Sequence, residues 1–484
     1  MSSDNTRVVA NTWNGFANSS TVHGIKFTSH DFSRTRRIAW GILLFTGLSL
    51  LLGFTVSAVV EYFQYKVNTI VTVGSEREAA FPAVTLCNLN ALRKSKFEES
   101  KNNSKYSQLF MLAKILSMMD LTGSNENVTI PSFSGENVRE MYRYFGHNMS
   151  PFSKGGMLLN CTYRNTPCNE SFFKPVLTNL GQCYSFNPGG DFGKERYGKE
   201  ILTATQPGSS FGLGMRLTVQ SDDYVLMPTQ EFSAGWKIFV HDQRELPLVA
   251  DYGFALSPGT HTFVGLVKRK VVNLEPPYTT ACRKQPLATG HPYSLKGCIR
   301  VCEEMYVRKQ CGCNSPIGFM DDTASELCDL KKSVNCVLPA LAMFRKYGND
   351  CVCPDPCESV EYTPYLSYAY FPSDVYGVEV ADHLVSLGVA SSNEKALSYL
   401  RKNIIELDIF FQQMDHIIVK QVPAKTLRDI YSELGGLLGA SLGASFLTFI
   451  ELMDFLATRF LRRLEKKRGQ IIRVASVGNE GPSS

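Results

Sequence analysis

From Ile38 to Val60 the chain runs for twenty-three residues without a charge. At 1.5 Å per helical residue that is about 34 Å, enough to cross the hydrocarbon core of a bilayer. The run lies deeper in the chain than a secretory leader and no small-residue cleavage site follows it, so it reads as a retained membrane span. Arg34, Arg36 and Arg37 precede it directly, and positive residues flank spans on the cytoplasmic side, which puts the N-terminus inside. A second run, from about Leu434 to Leu456, is apolar except for Glu451 and Asp454 and gives way to Arg459, Arg462, Arg463, Lys466, Lys467 and Arg468. That basic cluster again reads as cytoplasmic. The expected plan is a multi-pass plasma-membrane protein with both termini in the cytoplasm. It comprises a cytosolic segment at 1–37, a first span at 38–61, an extracellular block at 62–430, a second span at 431–458 and a basic tail at 459–484.

The cysteines give an independent reading of that topology. All fourteen, from Cys87 to Cys357, lie between the two runs, as disulfides require an oxidising compartment. Five Asn-x-Ser/Thr sequons, at Asn102, Asn127, Asn148, Asn160 and Asn169, fall in the same block and are expected to carry glycans; a sixth, at Asn18, is expected to stay bare on the cytosolic side. An even count suggests seven bridges, but spacing alone leaves their pairing open. Nine cysteines from Cys298 to Cys357 crowd together, which implies a densely stapled subdomain. Their C-x-C and C-x3-C spacings lack the paired C-x2-C of a zinc module, so no metal is expected.

Fifty basic against forty-five acidic residues leave a net charge of +5 without a long basic run before the C-terminus, so nucleic acid is not expected as a partner. Enzyme chemistry finds no foothold either. Gly439-Ala440-Ser441-Leu442-Gly443 matches the G-x-S-x-G nucleophile elbow, but that motif needs an exposed strand-to-helix turn and here it falls within a membrane span. There is no P-loop, no H-E-x-x-H, and the eight histidines are scattered singly; neither an enzymatic activity nor a cofactor is expected. Alternating strands at Gly235 to His241 and Thr262 to Val272 sit among helical patterns at Tyr106 to Met119, Gly297 to Gln310, Leu338 to Tyr347 and Asn393 to Asn403. The fold class this implies is membrane α+β, a β core carrying peripheral helices.

The second run has an unusual order of small residues. Gly435, Gly439 and Gly443 recur at i+4, as do Ala440 and Ala444, and Ser441 and Ser445; Glu433, Gly436, Ala440, Gly443 and Leu447 share another face. Acids at membrane depth cost roughly 2.5 to 3.5 kcal/mol each on insertion scales, so Glu451 and Asp454 should face protein or water. Small residues, serines and acids together favour a cation pathway over helix packing alone. Two spans cannot enclose a pore, so that reading requires an oligomer.

At these residues the chain resembles a known family. Leu434-Gly435-Gly436, Gly439 and Leu442-Gly443-Ala444-Ser445, followed by Leu447-Thr448 and Glu451-Leu452, resemble the pore segment of the degenerin/epithelial sodium channel family. Phe81 to Asn90 resembles the segment after its first span, and Ser19 to Gly24 its cytosolic gating motif with His23-Gly24. The resemblance runs almost end to end and is strongest to the acid-sensing ion channels. It implies a trimer with two further subunits, each chain having two transmembrane helices flanking an extracellular domain of palm, β-ball, finger, thumb and knuckle. It implies a selectivity filter at Gly443, Ala444 and Ser445, whose carbonyls can replace part of a sodium ion's hydration shell. Ser432 takes the degenerin gate position and Glu433 the acidic outer mouth, with Gly436, Gly439 and Ala440 along the pore. The implied bridges are Cys87–Cys183, Cys161–Cys168, Cys282–Cys357, Cys298–Cys353, Cys302–Cys351, Cys311–Cys336 and Cys313–Cys328, five of them a thumb ladder within 282–357.

Tyr65 and Tyr278 are the implied gating contact at the wrist, although the family carries tryptophan at the second place and this chain has one extra residue before Cys282. Partners implied are sodium ions, membrane lipid, and protons or another extracellular ligand; block by amiloride is a family expectation. The acid-sensing residues diverge. Lys66, Val67, Thr72 and Gln206 replace the family's two histidines, aspartate and palm lysine. In its acidic pocket Glu245 remains, but beside Arg244 and with Leu338 and Ala342 in place of two carboxylates. The expected function is a trimeric sodium-selective channel opened by extracellular protons. The alternatives are the same channel opened by a neuropeptide or other small ligand or open constitutively, and a non-conducting disulfide-rich receptor.

Overall fold

The computed structural model describes residues 14–18, 20–101, 106–118, 133–225, 232–319, 326–347, 351–386 and 391–443, together with Thr448, Ile450, Met453, Asp454, Leu456, Ala457 and Phe460. Ala444, Ser445, Glu451, Asn102, Asn127 and the basic tail lie outside the described residues. The chain forms two compact bodies, one from Met1–Asn68, Pro277–Thr279 and Val422–Ser484, the other from Thr69–Pro276 and Thr280–Gln421.

The first body is built on the helix Arg34–Phe63. It extends past the uncharged run at both ends, taking in the arginines and Glu61. Ile42, Leu43, Phe45 and Leu52 are each 60% exposed or more, an apolar surface suited to hydrocarbon and not to water. Among the described residues it is the one helix long and apolar enough to cross a membrane.

The second helix of this body, Leu427–Leu442, packs against the first. It opens with a capping box: the Thr426 hydroxyl accepts from the Asp429 amide at 3.3 Å and the Asp429 carboxylate accepts from the Thr426 amide at 2.8 Å. It ends where Gly443 turns left-handed at φ 57°, its amide donating to Gly439 O at 3.0 Å. The helix begins seven residues before Leu434 and pauses at Gly443, because only glycine enters that backbone region without a steric penalty. Thr448, Ile450, Met453, Asp454, Leu456, Ala457 and Phe460 are helical again beyond the pause.

Among the described residues the second body holds fifteen strands, some of whose ends reach into the first: β1 (Val67–Ser75), β2 (Ala79–Ala80), β3 (Ala83–Asn88), β4 (Leu158–Tyr163), β5 (Thr166–Pro167), β6 (Phe173–Thr178), β7 (Gly181–Phe186), β8 (Thr203–Ala204), β9 (Leu213–Thr218), β10 (Trp236–His241), β11 (Phe254–Leu256), β12 (Thr260–Val272), β13 (Glu358–Tyr370), β14 (Ile404–Phe411) and β15 (Asp415–Pro423). Eight form the main sheet in the order β1-β15-β12-β14-β9-β4-β5, with β13 also on β12; five form a second, β11-β10-β3-β7-β6, and β2 pairs with β8. β12 is the spine. It takes β13 antiparallel along its whole length, and on the other side β14 in parallel over Thr260–Leu266, then β15 over Arg269–Val272. β14 alternates buried and half-buried residues from Ile405 onward, so Ile405, Leu407, Ile409 and Phe411 enter the core with Val264 and Leu266.

β3 explains the Phe81 to Asn90 motif. It is buried along its whole length between β10 and β7, so it reads as a continuous apolar run and not as an alternation. The two asparagines that follow serve the backbone: Asn88 donates to Val219 O at 2.9 Å and Asn90 to Val225 O at 2.7 Å. Cys87 and Cys183 face each other in register and are bonded. The remaining bridges are Cys161–Cys168, Cys282–Cys357, Cys298–Cys353, Cys302–Cys351, Cys311–Cys336 and Cys313–Cys328, the same set that the family resemblance implies.

Helix Leu295–Cys311, capped by Ser294, carries Cys298 and Cys302 one turn apart and runs past both ends of the expected Gly297 to Gln310. Helices Leu338–Tyr347 and Asn393–Asn403 lie at their expected limits, the latter capped by Ser392. Helices without a sequence expectation include Lys94–Ser100, Gly135–Phe145, Gly190–Tyr197 and Asp374–Ser386. Among the described residues no cluster of His, Cys, Asp or Glu is arranged to hold a metal.

Inside the stapled region Arg300, Glu303 and Glu304 are all buried. The guanidinium donates to Glu303 at 2.5 Å, to Glu304 at 3.1 Å and to the Asn179 side chain at 3.2 Å, while the Phe319 amide donates to Glu304 at 2.9 Å. Removing one partner of a buried ion pair costs about 3–5 kcal/mol, because the other charge stays buried. Arg300→Met should therefore lower the melting temperature of the purified, detergent-solubilised protein. Arg300→Met with Glu304→Met should recover part of the loss, and an unchanged melting temperature in the single variant would contradict this account.

Candidate ion pathway

Helix Leu427–Leu442 orders the candidate pore residues by its pitch. Ser432, Glu433, Gly435, Gly436, Gly439 and Ala440 are exposed, while Leu434, Leu437 and Leu438 are half-buried. A methyl group built at Gly435, Gly436 or Gly439 would meet nothing within 4 Å. Among the described residues, the helix thus has open space beside these three glycines. Of the acids placed deeper, Asp454 is exposed.

At the far end of this helix the N-terminal segment returns to the break. His23 Nδ1 lies 3.1 Å from Gly443 O, and the hydroxyls of Thr21 and Thr448 are 2.6 Å apart. Gly24 is left-handed at φ 88°, and a Cβ there would come within 2.7 Å of the Trp40 ring. Trp40 in turn stacks on Phe27 at 4.8 Å, in the short turn Ile25–Thr28. The glycine is required twice over, by its backbone angle and by the ring beside it.

At the near end, Tyr65 and Tyr278 meet edge to face with centroids 5.7 Å apart, and the Thr279 amide donates to Tyr65 O at 3.4 Å. Tyr65 is left-handed at φ 49°, an uncommon state for a bulky residue that its surroundings must impose. Sequence reasoning missed what lies next to it. Lys425 Nζ is 3.0 Å from Glu61 and 2.8 Å from Glu433, so one ammonium ties the end of the first helix to the second turn of the other. A groove of about 470 Å³ opens beside it, lined by Phe54, Ser57, Ala58, Gly436 and Leu437.

Glu245 and its neighbours belong to the second body. Burial raises the Glu245 carboxyl above its ordinary range, against the pull of Lys296 at 3.9 Å; Lys296 itself lies over the rings of Tyr252 and Phe239. Arg244 is turned toward Asp242 at 2.7 Å, and Leu338 and Ala342 are exposed. Gln206, Lys66 and Thr72 are exposed and Val67 is half-buried. Two histidine–carboxylate pairs lie in the main sheet, His261 on β12 with Asp408 on β14 and His416 on β15 with Glu76, with no sequence signal to announce them. His261 Nε2 is 3.0 Å from Asp408, whose carboxyl burial pushes up. His416 is buried, its Nδ1 lacks a hydrogen-bond partner and lies 3.7 Å from Glu76, and Glu76 is held by Lys268 at 2.7 Å. Of the sequons, Asn160 and Asn169 are exposed and Asn148 is half-buried.

The model of the amiloride-sensitive sodium channel family matches residues 16–455. Acid-sensing ion channel 2 of Homo sapiens is 30% identical over 468 residues, covering 91% of this chain and 85% of that protein. Acid-sensing ion channel 1 of Gallus gallus is 31% identical over 467 residues, covering 91% and 82%. Acid-sensing ion channel 1C of Danio rerio is 30% identical over 469 residues, with the same coverage. A solved proton-activated chloride channel overlaps at a TM-score of 0.31 and 7% identity, over 86% of this chain and 96% of its own, too loosely to bear on the fold.

The geometry around Gly24 yields a direct test. A side chain there meets a backbone penalty of roughly 1–2 kcal/mol and the Trp40 ring, so Gly24→Ala should displace His23 from Gly443. If the conducting state needs that contact, inward sodium current per surface subunit should fall about five- to thirtyfold. Surface labelling should remain near wild type, and undiminished current would show the contact to be dispensable.

Proposed function

The chain belongs to the amiloride-sensitive sodium channel family, whose members are ion channels and not enzymes, and we propose that three copies form a sodium-selective pore in the plasma membrane, opened by extracellular protons. The helices Arg34–Phe63 and the segment from Leu427 onward cross the bilayer, both termini are cytoplasmic, and the second body is extracellular. The observation that carries this reading is the left-handed stop at Gly443 beneath three glycines, Gly435, Gly436 and Gly439, with open space beside them among the described residues. A helix that ends within the membrane frees backbone carbonyls, which lipid does not satisfy and a permeating cation can. Gly443, Ala444 and Ser445 form the filter, Ser432 and Glu433 the outer gate and mouth, and Gly436, Gly439 and Ala440 the wall between. The His23–Gly24 segment and the Tyr65–Tyr278 contact couple to this gate.

Protons are favoured because burial has raised the proton affinity of two carboxyls, at Glu245 and Asp408, outside the membrane. Carboxyls raised in this way change charge in more weakly acidic solution than exposed ones. A second reading, opening by a neuropeptide or other small ligand, is favoured by Lys66, Val67, Thr72 and Gln206, which replace the acid-sensing residues of the family.

Substitution at Ser432 tests the pore without an agonist. Enlarging a residue at a close helix crossing penalises the packed, closed state, and about 1.4 kcal/mol changes the open-to-closed ratio tenfold. Ser432→Phe should give standing inward sodium current at resting pH, and wild type should open when the bath is stepped from alkaline to acid. A variant that reaches the surface and stays silent would overturn the channel reading. A conducting variant beside a wild type that ignores acid would replace protons by another ligand.

A further inference from the structure

Lys425 stands between the strand β15, which ends at Pro423, and the capping residue Thr426. Its side chain is only 11% exposed, whereas its two partners, Glu61 and Glu433, are 52% and 47% exposed. A lysine ordinarily keeps its ammonium in water. This one is held between two carboxylates that keep open faces, at 3.0 Å from Glu61 and 2.8 Å from Glu433.

The charges on these turns are Glu61, Lys66, Lys425, Arg428, Asp429 and Glu433, Lys66 being exposed and its carbonyl accepting from the Ala424 amide at 2.9 Å. Arg428 and Asp429 offset each other, and the Asp429 carboxylate is engaged in the helix cap. The bridged set alone, Glu61, Glu433 and the lysine between them, carries a net charge of −1 that becomes −2 without the lysine. Long surface ion pairs contribute little to stability, but their field on a permeating ion is another matter. Fixed charge at a narrow entrance sets the local concentration of counter-ions, the more so when salt is dilute.

We propose that Lys425 is a built-in counter-ion of the outer pore mouth. It neutralises one of the two carboxylates it bridges and thereby holds down the rate at which sodium enters from outside. The inference rests on the channel reading, with Glu433 at the extracellular mouth. It assigns a permeation role to Lys425 and Glu61, which carry none in that reading.

Single-channel recording in the Ser432→Phe background tests it with sodium as the only permeant ion. In dilute external sodium, Lys425→Met should raise unitary inward conductance roughly twofold, the gain should fade as salt rises, and outward conductance should stay near the parent's. Lys425→Arg should match the parent, and adding Glu433→Gln to Lys425→Met should bring inward conductance back down. If Lys425→Met fails to assemble, Lys425→Cys serves instead. All fourteen native cysteines are in disulfides, so an ethylammonium methanethiosulfonate reagent reaches the new thiol alone. Restoring the positive charge should lower inward conductance, and a neutral reagent of similar size should not.

Equal inward conductance with and without the positive charge in dilute salt would overturn the proposal. So would a change that is the same in both directions and indifferent to salt, which is the mark of altered packing. A Ser432→Phe parent that passes no sodium would remove the channel reading and this inference with it, whereas a conducting parent with an inert Lys425 removes the inference alone.

Discussion

In the proposed pore, a helix that must stop inside a membrane is the constraint on which the rest depends. Hydrocarbon offers no partner for a freed carbonyl, so a break is tolerated only where protein, water or an ion meets the backbone. Gly443, left-handed at φ 57°, makes the break, and a Cβ there would fall within 1.9 Å of the His23 ring. The break, the histidine that reaches it and the glycines above it are parts of one arrangement. The capping box at Thr426 and Asp429 fixes the other end, so sixteen residues between two well-defined caps carry Ser432, Glu433 and the small residues in a single register.

The second body meets a different demand, keeping a large β-rich fold in shape. Its answer is a long central strand, β12, with partners on both sides, and a buried strand, β3, stapled to β7 through Cys87 and Cys183. Five further bridges hold helix Leu295–Cys311 and its surroundings, where the apolar core is slight. Disulfides stabilise such regions largely by limiting the freedom of the unfolded chain, which leaves room for the buried Arg300 cluster that a hydrophobic core would exclude.

What the sequence made legible follows from the range of the interactions. Hydrophobic length revealed the helix through Ile38–Val60, period and cap revealed Asn393–Asn403 with Ser392, and cysteine placement revealed the oxidising block. Helix Gly135–Phe145 was missed because its charged face outweighs Val138, Met141 and Phe145, although Ser134 caps it as a start signal should. The stop at Gly443 was hidden in an apolar run that otherwise reads as one span. The Lys425 bridge could not be read at all. Its partner Glu61 is 364 residues away in the chain, and a lone lysine after a strand carries no local pattern. The same holds for His261 with Asp408, 147 residues apart, and for His416 with Glu76, brought together only by the order of strands in the main sheet.

The central claim is that sodium selectivity depends on the backbone turn at Gly443, and the measurement that meets it most directly is the reversal potential when external sodium is replaced by potassium. In the Ser432→Phe background the replacement should move the reversal potential strongly negative, as a sodium-selective filter requires. In the same background with Gly443→Ala, where the left-handed angle is strained and the new methyl collides with His23, that shift should shrink or the current should vanish while the protein stays at the surface. An identical shift in both would show that the turn at Gly443 does not select the ion.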